Sequence, residues 1–369
     1  MIHKQEVRRI RFRQMKILYK QYERFLIPGM LLVGVTVDFI TFRTIKVSSA
    51  FILLAIYIVI AGATIAFINF YDSARIDRQS AIRYLRLAAP LAVQFTFGAL
   101  LSASLIFYWF SGALSASWPF LIIIAALMMS NEVLREYYLR PVVQIGVYYF
   151  ILFSYLSLVM PYLFNSISAW VFVASGFASL AVIYLFVKLL SRLLVEVESR
   201  QSRIATVVIA IFLTMNALYF LNLIPPIPLS IREAGVYHGV ERSGDGYILS
   251  AERYSVLAQI IPGETTHVVE GDSIYVYSAI FAPTDLNATI VHDWQYFDPG
   301  EHRWVSYTKS SFKLTGGREE GYRGFSMKTF TIPGRWRVNI ETERGQVIGR
   351  VKFRIEHVEK QPDTYQLVR

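Results

Sequence analysis

The sequence has no cysteine and few charged residues. The absence of cysteine from all 369 positions excludes disulfides, thiolate catalysis and cysteine metal ligands. Asp, Glu, Lys and Arg together make up 17% of the chain, whereas soluble domains carry about 25%. Hydrophobic residues make up 54%, and the mean hydropathy is +0.41. This composition is typical of a membrane protein.

The basic excess belongs to the hydrophobic part of the chain. The net charge is +10, but residues 228–369 hold 17 basic and 18 acidic residues, so the surplus lies in residues 1–227. Short basic loops between apolar segments are typical of cytoplasmic membrane loops. The distribution therefore predicts the lipid bilayer as a partner and argues against nucleic acid.

Seven apolar segments follow a basic N-terminus. A membrane-spanning helix needs about 20 mostly apolar residues. The candidates are residues 25–42, 48–70, 87–110, 114–131, 142–164, 168–190 and 204–224. They predict an all-α transmembrane bundle of about seven helices over residues 25–224. The segment 1–24 holds eight basic residues and is expected in the cytoplasm. It is either an anchor for the first span or a helix lying on anionic lipid.

The charges of the loops predict an orientation. With the N-terminus inside, the inner segments 1–24, 71–86, 132–141 and 188–203 hold 18 Lys and Arg residues. The outer loops hold only Arg43 and Lys46. Cytoplasmic loops are the ones enriched in Lys and Arg. We therefore expect an integral protein of the bacterial inner (cytoplasmic) membrane, with its C-terminal domain in the periplasm. A proline-rich linker, residues 225–230, holds that domain close to the bilayer.

The pattern changes to that of β-strands after residue 230. Short segments rich in β-branched and aromatic residues alternate with turn signals such as Pro262-Gly263 and Pro333-Gly334. Trp336, Val338 and Ile340 alternate with polar residues, so they are expected to face the core. The sequence predicts an all-β antiparallel, immunoglobulin-like sandwich over residues 231–357, followed by a C-terminal tail, 358–369.

This second part resembles a known family. The residues that carry the resemblance are His292-Asp293-Trp294, the run GGREEGYRGFSMKTF and the run PGRWRVNIETERGQVIGRVKFRI. They are similar to the DUF2914 domain, a family named for its lack of known function, and the resemblance covers about residues 230–357. It implies a β domain behind a hydrophobic helical region, and it supplies no catalytic residues.

A glycine-rich loop is the candidate ligand-binding site of the β domain. Residues 316–324 combine four glycines with two arginines and a tyrosine. Arginine matches carboxylate and phosphate groups in a bidentate manner, and tryptophans can form a platform for sugar or peptide. The candidates are Arg318, Glu319, Tyr322, Arg323, Trp304 and Trp294. The alternatives are a hairpin in which Arg and Glu pair with each other, and tryptophans that belong to the core.

Other sites are less strongly indicated. His292, Asp293 and His302 are candidate metal ligands, but their spacing is not diagnostic, so the sequence predicts no metal and no cofactor. Asp38, Gln94 and Asn216 are polar groups within the predicted spans and would line a pore. Asp38 alternatively pairs with Arg43 or Lys46 at the end of its helix.

The leading functional hypothesis is a multi-pass protein of the cell envelope without enzymatic activity. Its extracytoplasmic β-sandwich would bind a ligand or partner, such as an envelope protein or a glycan, near the membrane surface. The alternative is a transporter or channel through the helical bundle, with the β domain as an accessory. A third hypothesis is a membrane enzyme acting on lipid-linked substrates, for which the sequence offers only scattered acids and bases.

Overall fold

The structure is a computed structural model that divides into two compact units. The first comprises Met1–Ile106, Ile122–Tyr155 and Phe177–Leu213, and the second comprises Phe107–Leu121, Leu156–Gly176 and Thr214–Arg369. The structure describes residues 36, 38, 40, 47–73, 80–111, 114–133, 137, 140–226, 228–244, 246–252, 264–282, 286–316, 320–329 and 331–369.

The apolar segments form helices. They are α1 Val47–Ser73, α2 Ser80–Phe110, α3 Leu114–Val133, α4 Pro141–Leu163, α5 Ala169–Leu193, the short α6 Val195–Ser199, and α7 Gln201–Phe220. Five of them (α1, α2, α4, α5 and α7) are long and apolar enough to cross a membrane, and α3 holds a shorter apolar stretch, Ala116–Asn131. These helices coincide with six of the seven predicted spans. The segment 1–24, and the span 25–42 apart from Thr36, Asp38 and Ile40, lie outside the described residues.

Helix α4 is the most buried of the five long helices. Of its apolar stretch 78% is buried, against 22% for α7. The Tyr148 hydroxyl donates to the carbonyl oxygen of Ile58 at 3.2 Å, and the Tyr155 hydroxyl donates to that of Phe51, also at 3.2 Å, so both bond α4 to α1. Hydrogen bonds between helices satisfy polar groups that lipid cannot.

The second unit contains eleven described strands. They are β1 Ser230–Tyr237, β2 Gly239–Ser243, β3 Gly246–Glu252, β4 Glu264–Val269, β5 Ile274–Phe281, β6 Asn287–Asp298, β7 Arg303–Thr315, β8 Tyr322–Lys328, β9 Gly334–Thr342, β10 Val347–Val358 and β11 Thr364–Val368. They form three sheets, ordered β4-β10-β9-β6-β7, β1-β5-β8 and β11-β3-β2. The predicted fold class, a helical bundle followed by a β domain, is confirmed.

The sheet β1-β5-β8 is the middle layer and is covered on both faces. Along β5, Val276 and Ile280 pack into the cores shared with the five-stranded sheet. Tyr277 and Ala279, which point the opposite way, pack against Leu249 of the third sheet. Side chains alternate between the two faces of a strand, which explains how one strand serves two cores. The outer face of the five-stranded sheet points away from both cores.

Two features of the β domain differ from the expected antiparallel sandwich. Strand β4 pairs with β10 in parallel, with Thr266 opposite Ile355, whereas the other described pairs are antiparallel. The segment expected as a C-terminal tail contains β11, which pairs with β3 and places Leu367 opposite Leu249. Both pairings join segments that are far apart in sequence, so local patterns carry no signal for them.

The hairpin between β9 and β10 contacts the end of α7 within the second unit. Asn222 donates through Nδ2 to the carbonyl oxygen of Arg344 at 3.1 Å, and Gln346 donates through Nε2 to that of Ile224 at 3.4 Å. The guanidinium group of Arg344 lies 4.5 Å from the ring centroid of Tyr219. Side-chain bonds thus join the hairpin to the residues that follow the last helix.

Candidate ligand-binding site

The outer face of the five-stranded sheet is polar and densely bonded. Alternation turns Trp294, Val338 and Phe353 inward to the core and the residues between them outward. We call the outward surface the charged face. It includes Asp293, Gln295, Trp304, Lys309, Arg335, Arg337, Asn339, Glu341 and Arg350, which the strand register brings side by side.

Two carboxylates lie at the centre of the charged face. Asp293 is 3% exposed and Glu341 is 6% exposed. Asp293 accepts hydrogen bonds from Ser306 and Gln295, and Glu341 pairs with the Lys309 ammonium group at 3.4 Å. Burial, together with the neighbouring Asp293, raises the pKa of Glu341, although Lys309 and Arg350 partly offset the effect. Glu341 therefore helps to hold the Lys309 ammonium group in place.

Arginine side chains stacked on aromatic rings flank these acids. The guanidinium carbon of Arg337 lies 4.4 Å from the ring centroid of Trp304, and that of Arg335 lies 3.7 Å from Phe297. Arg337 also donates through Nε to the Gln295 side-chain oxygen at 2.7 Å. Burial, with the nearby Arg350, lowers the pKa of Arg337 to about 10, so it remains charged at neutral pH. Stacked guanidinium groups have fixed planes and can bind anionic groups in a bidentate manner.

Basic residues outnumber acidic ones across the charged face. By strand register the outward cations are Lys309, Lys313, Arg335, Arg337, Arg350, Lys352 and Arg354, against the acids Asp293, Glu341 and Glu356. Of the predicted ligand-binding residues, Trp304 lies here. Sequence reasoning missed Arg335, Arg337 and Arg350 as site residues. The signal was present, because the alternation around Trp336 turns its polar neighbours outward.

Trp294 is placed differently from the prediction. It is fully buried, and its Nε1 donates to the Ser326 hydroxyl at 2.9 Å. A tryptophan enclosed between two sheets cannot offer its ring to a ligand, so Trp294 is a core residue and its prediction as a ligand platform was wrong.

The described part of the glycine-rich loop contacts itself and strand β7. Arg323 forms an ion pair with Glu320, and its side chain is 17% exposed. Tyr322 stacks on Phe312 with a centroid distance of 6.4 Å. Arg318 and Glu319 lie outside the described residues. Tyr322 and Arg323 thus contact side chains of their own region, away from the charged face.

The candidate metal ligands are not brought together. His292 points inward, where its ring nitrogens bond to Ser278 at 2.9 Å and Ser326 at 2.8 Å, whereas Asp293 points outward. His302 lies at the β6–β7 turn with φ 51°. Within the described residues, no group of three or more His, Asp or Glu side chains is arranged to hold a metal ion.

Another polar cluster was not anticipated from the sequence. The buried Glu252 carboxylate accepts from His267 Nδ1 at 2.5 Å and contacts His238 Nε2 at 3.1 Å. The backbone N–H of His267 also donates to it at 3.1 Å. Burial by itself raises the pKa of Glu252. The hydrogen bonds to His238 and His267 together lower it by more, so the net shift is downward. The cluster joins β3 of the third sheet to β4 of the five-stranded sheet.

Some polar residues of the helices bond to another helix. Asp38 interacts with Ser102 of α2. Gln94 of α2 and Asn131 of α3 each donate to the other's carbonyl oxygen, at 3.4 and 3.0 Å. Asn216 lies half-buried in α7. The three residues predicted to line a pore, Asp38, Gln94 and Asn216, lie on three different segments of the chain.

A family model matches the part of the chain that carries the charged face. A family model described as "Protein of unknown function (DUF2914)" matches residues 287–355. This confirms the resemblance in that part of the chain, which includes β6 to β9 and most of β10. The match therefore covers most of the five-stranded sheet, including the stacked arginines and the two buried carboxylates. No curated protein matches the chain.

Solved structures show only weak similarity. An immunoglobulin-like protein from Pseudomonas aeruginosa is 10% identical with a TM-score of 0.20, and the alignment covers 35% of this chain and 96% of that one. A β-glucosidase from Listeria innocua is 13% identical with a TM-score of 0.19, over 32% of this chain and 17% of that one. An alkylpurine DNA glycosylase from Pseudomonas fluorescens is 10% identical with a TM-score of 0.22, over 81% and 97%. These scores carry no argument about function.

Proposed function

We propose that the chain is a polytopic membrane protein whose extracytoplasmic β domain is a non-enzymatic binding module. Five helices long and apolar enough to cross a membrane support the membrane location. Trp109, Trp118 and Trp170, the tryptophans of the helical part, all lie in the helix ends that belong to the second unit. Tryptophan is enriched at membrane–water interfaces, so these helix ends mark one surface of the bilayer.

The charges of the loops favour an orientation with the β domain outside the cytoplasm. The connections after α2, α4 and α7, residues 111–113, 164–168 and 221–229, contain no Lys or Arg. The connections after α1, α3 and α5–α6 carry basic residues such as Arg75, Arg135 and Arg200. Positively charged loops remain in the cytoplasm. The β domain follows α7 and would therefore lie on the uncharged, outer side, in the periplasm of a bacterium.

The charged face is the observation that carries the binding proposal. Its arginines are stacked on aromatic rings, and its acids are bonded before any ligand arrives, so the surface is preorganised. Its basic surplus favours an anionic ligand, and stacked guanidinium groups suit carboxylate and phosphate groups. A broad sheet surface can contact several successive units of a polymeric ligand. We therefore infer that its ligand is an acidic glycan of the cell envelope.

Binding of a charged polysaccharide to the full-length protein in nanodiscs tests the proposal. Dextran sulfate is the anionic probe, neutral dextran is its uncharged counterpart, and polyglutamate is an acidic peptide control. We expect dextran sulfate to bind and Arg337→Gln to weaken it about tenfold, because a charge-assisted bidentate contact is lost. Arg242→Gln removes an exposed charge from β2, on another sheet, and is the matched control.

Two results would overturn this ligand assignment. One is equal binding of dextran and dextran sulfate. The other is an equal effect of Arg337→Gln and Arg242→Gln, which would reveal non-specific attraction to a basic protein. Preferential binding of polyglutamate would instead indicate an acidic protein partner. Lys313→Gln, at an outward position of β7 with an exposed side chain, provides a second variant should Arg337→Gln perturb folding.

A further inference from the structure

Cations occupy adjacent outward positions of β9 and β10 on the charged face. Arg335 of β9 lies opposite Arg354 of β10, and Arg337 lies opposite Lys352. Side chains directly opposite each other in an antiparallel pair have Cβ atoms about 5 Å apart, and like charges at such positions are destabilising. We call these four residues, together with Arg350 of β10, the cationic block.

Two arginines of the cationic block are held in place by neutral groups. Arg350 donates through Nε to the side-chain oxygen of Asn339 at 2.6 Å, in the same way as Arg337 donates to Gln295. An amide oxygen orients a guanidinium group but does not neutralise its charge. Both bonds use Nε, and no described residue accepts a hydrogen bond from the Nη atoms of either arginine. The fold thus fixes the two guanidinium groups and leaves their outer donors available.

The carboxylates at the centre of the charged face are engaged by other groups. Asp293 accepts from Ser306 and Gln295, and Glu341 pairs with Lys309. Within the described part of the chain, no member of the cationic block forms an ion pair. The block therefore concentrates positive charge that the acids of the same face do not pair with.

Arg337 and Arg350 lie close enough to repel each other. Burial, and after it the charge of Arg350, lowers the pKa of Arg337 to about 10. Burial also lowers the pKa of Arg350, which the nearby Glu341 partly offsets. A negative charge close to both groups favours their charged forms. An anion bound between the two side chains would therefore relieve this repulsion.

We propose that the cationic block binds the phosphate groups of a phosphorylated glycan, with a phosphate between Arg337 and Arg350. The inference rests on the proposed function, because it specifies the acidic group of that ligand. A carboxylate carries one charge and two oxygens, so a single guanidinium fork satisfies it. A phosphate monoester carries about 1.5 to 2 negative charges at neutral pH and three acceptor oxygens. It can therefore accept hydrogen bonds from two forks at once, and Lys352 adds a further positive charge beside them.

Two dextran derivatives of matched size and total charge test the inference on the full-length protein in phosphatidylcholine nanodiscs. We expect dextran phosphate to bind about tenfold more tightly than carboxymethyl dextran, because its anionic groups engage two guanidinium forks. Arg350→Gln should remove most of this preference. Arg350→Lys should also reduce it, since lysine keeps the charge but lacks the planar fork. Arg242→Gln, on β2 of another sheet, should leave the ratio of the two affinities unchanged.

The ratio of affinities separates this inference from the proposed function. Equal binding of the two derivatives, or equal ratios in the Arg350→Gln and Arg242→Gln variants, would overturn the preference for phosphate and leave an acidic glycan as the ligand. Failure of dextran phosphate, carboxymethyl dextran and dextran sulfate to bind would overturn both proposals.

Further measurements distinguish other sources of phosphate and a folding defect. Displacement of dextran phosphate by inorganic phosphate or by glycerol phosphate, at the same concentration of phosphate groups, would assign the block to a free anion or to a lipid headgroup, and would overturn the inference. Lys352→Gln changes an exposed side chain of the block and provides a second variant should Arg350→Gln fail to fold. It should also lower the preference for dextran phosphate.

Discussion

His292 is enclosed between the five-stranded sheet and the middle sheet. Both ring nitrogens bond to serine hydroxyls, and burial lowers the pKa of the imidazole to about 4. The unfolded chain takes up a proton near pH 6.5, whereas the folded chain resists it. This residue therefore destabilises the fold progressively as the pH falls from about 6.5 to about 4, by up to about 3 kcal/mol.

We expect His292→Leu to change both stability and its pH dependence. At pH 7 the substitution should cost about 1–3 kcal/mol, because the Ser278 hydroxyl loses its partner. The loss of stability between pH 6.5 and pH 4 should also become smaller than in the wild type. Thermal unfolding of the full-length protein in detergent measures both effects. His302→Asn, at an exposed turn position of positive φ, is the control, and a wild-type melting temperature that is flat over this range would contradict the assignment.

Glu252 differs from His292 because the fold stabilises its charged form, whereas it stabilises the neutral form of His292. The folded-state pKa is lowered, so its contribution is present above the ordinary value of 4.5 and is lost as the pH falls through the folded value. Glu252→Gln should therefore lower stability by about 1–3 kcal/mol at pH 7 and have less effect at the acid end. Glu241→Gln, at an exposed position of β2, serves as the matched control. Equal melting temperatures of the two variants at pH 7 would show that the histidine–carboxylate cluster adds no stability.

At the scale of elements, the packing of β7 on β8 depends on the close approach of the Phe312 ring to Gly324. A Cβ atom added at Gly324 would lie 2.4 to 2.8 Å from ring atoms of Phe312, which is too short for any contact. The absence of a side chain at Gly324 thus lets the Phe312 ring lie against the backbone of β8. The same ring lies against His292, 5.2 Å away between centroids, so this close approach supports the buried polar core.

Gly324→Ala should therefore destabilise the protein by about 1–3 kcal/mol through overpacking. Phe312→Leu in the same chain should restore part of this loss, because the smaller side chain vacates the space. Chemical denaturation of the two single variants and the double variant gives the coupling energy. Additive effects would show that the two residues do not compete for the same volume.

Some elements could be predicted from local sequence and others could not. The alternation of Trp336, Val338 and Ile340 determined the inward face of β9, and with it the outward positions of Arg337 and Glu341. The Glu252 cluster had no local signal, because its three residues come from β3, from β4 and from the connection between β1 and β2, which are separate in the sequence. The parallel β4–β10 pairing was missed for the same reason. Trp294 was misassigned for another reason. Alternation shows which residues share a face of a strand, but it does not show which of the two faces another sheet covers.

At the scale of the whole molecule, the predicted spans agree with the helices because the length of an apolar segment can be determined from the local sequence. The burial of α4 is different. All five long helices are apolar enough to cross a membrane, so apolar length alone does not distinguish the buried helix from a peripheral one. The burial of α4 and the contacts of Tyr148 and Tyr155 with α1 reveal it.

The absence of cysteine provides a clean test of orientation. Glu301→Cys places a thiol at the exposed β6–β7 turn, and Glu198→Cys places one at an exposed position of the short helix α6. In intact spheroplasts we expect a membrane-impermeant maleimide to label Cys only in the Glu301→Cys variant, since the β domain should face outward. Both variants should be labelled after permeabilisation. The reverse pattern would place the β domain in the cytoplasm and would overturn the proposed function.

The pairing of β11 with β3, and of β10 with β4, has a consequence for the order of folding. Each early strand must wait for a partner from the end of the chain, so the contact order of the β domain is high. During synthesis the edges of β3 and β4 remain open until their partners β11 and β10 have been made. Open edges are sites of mispairing between chains. We therefore expect the β domain to fold slowly and to be prone to mispairing with other chains until β11 has been synthesised.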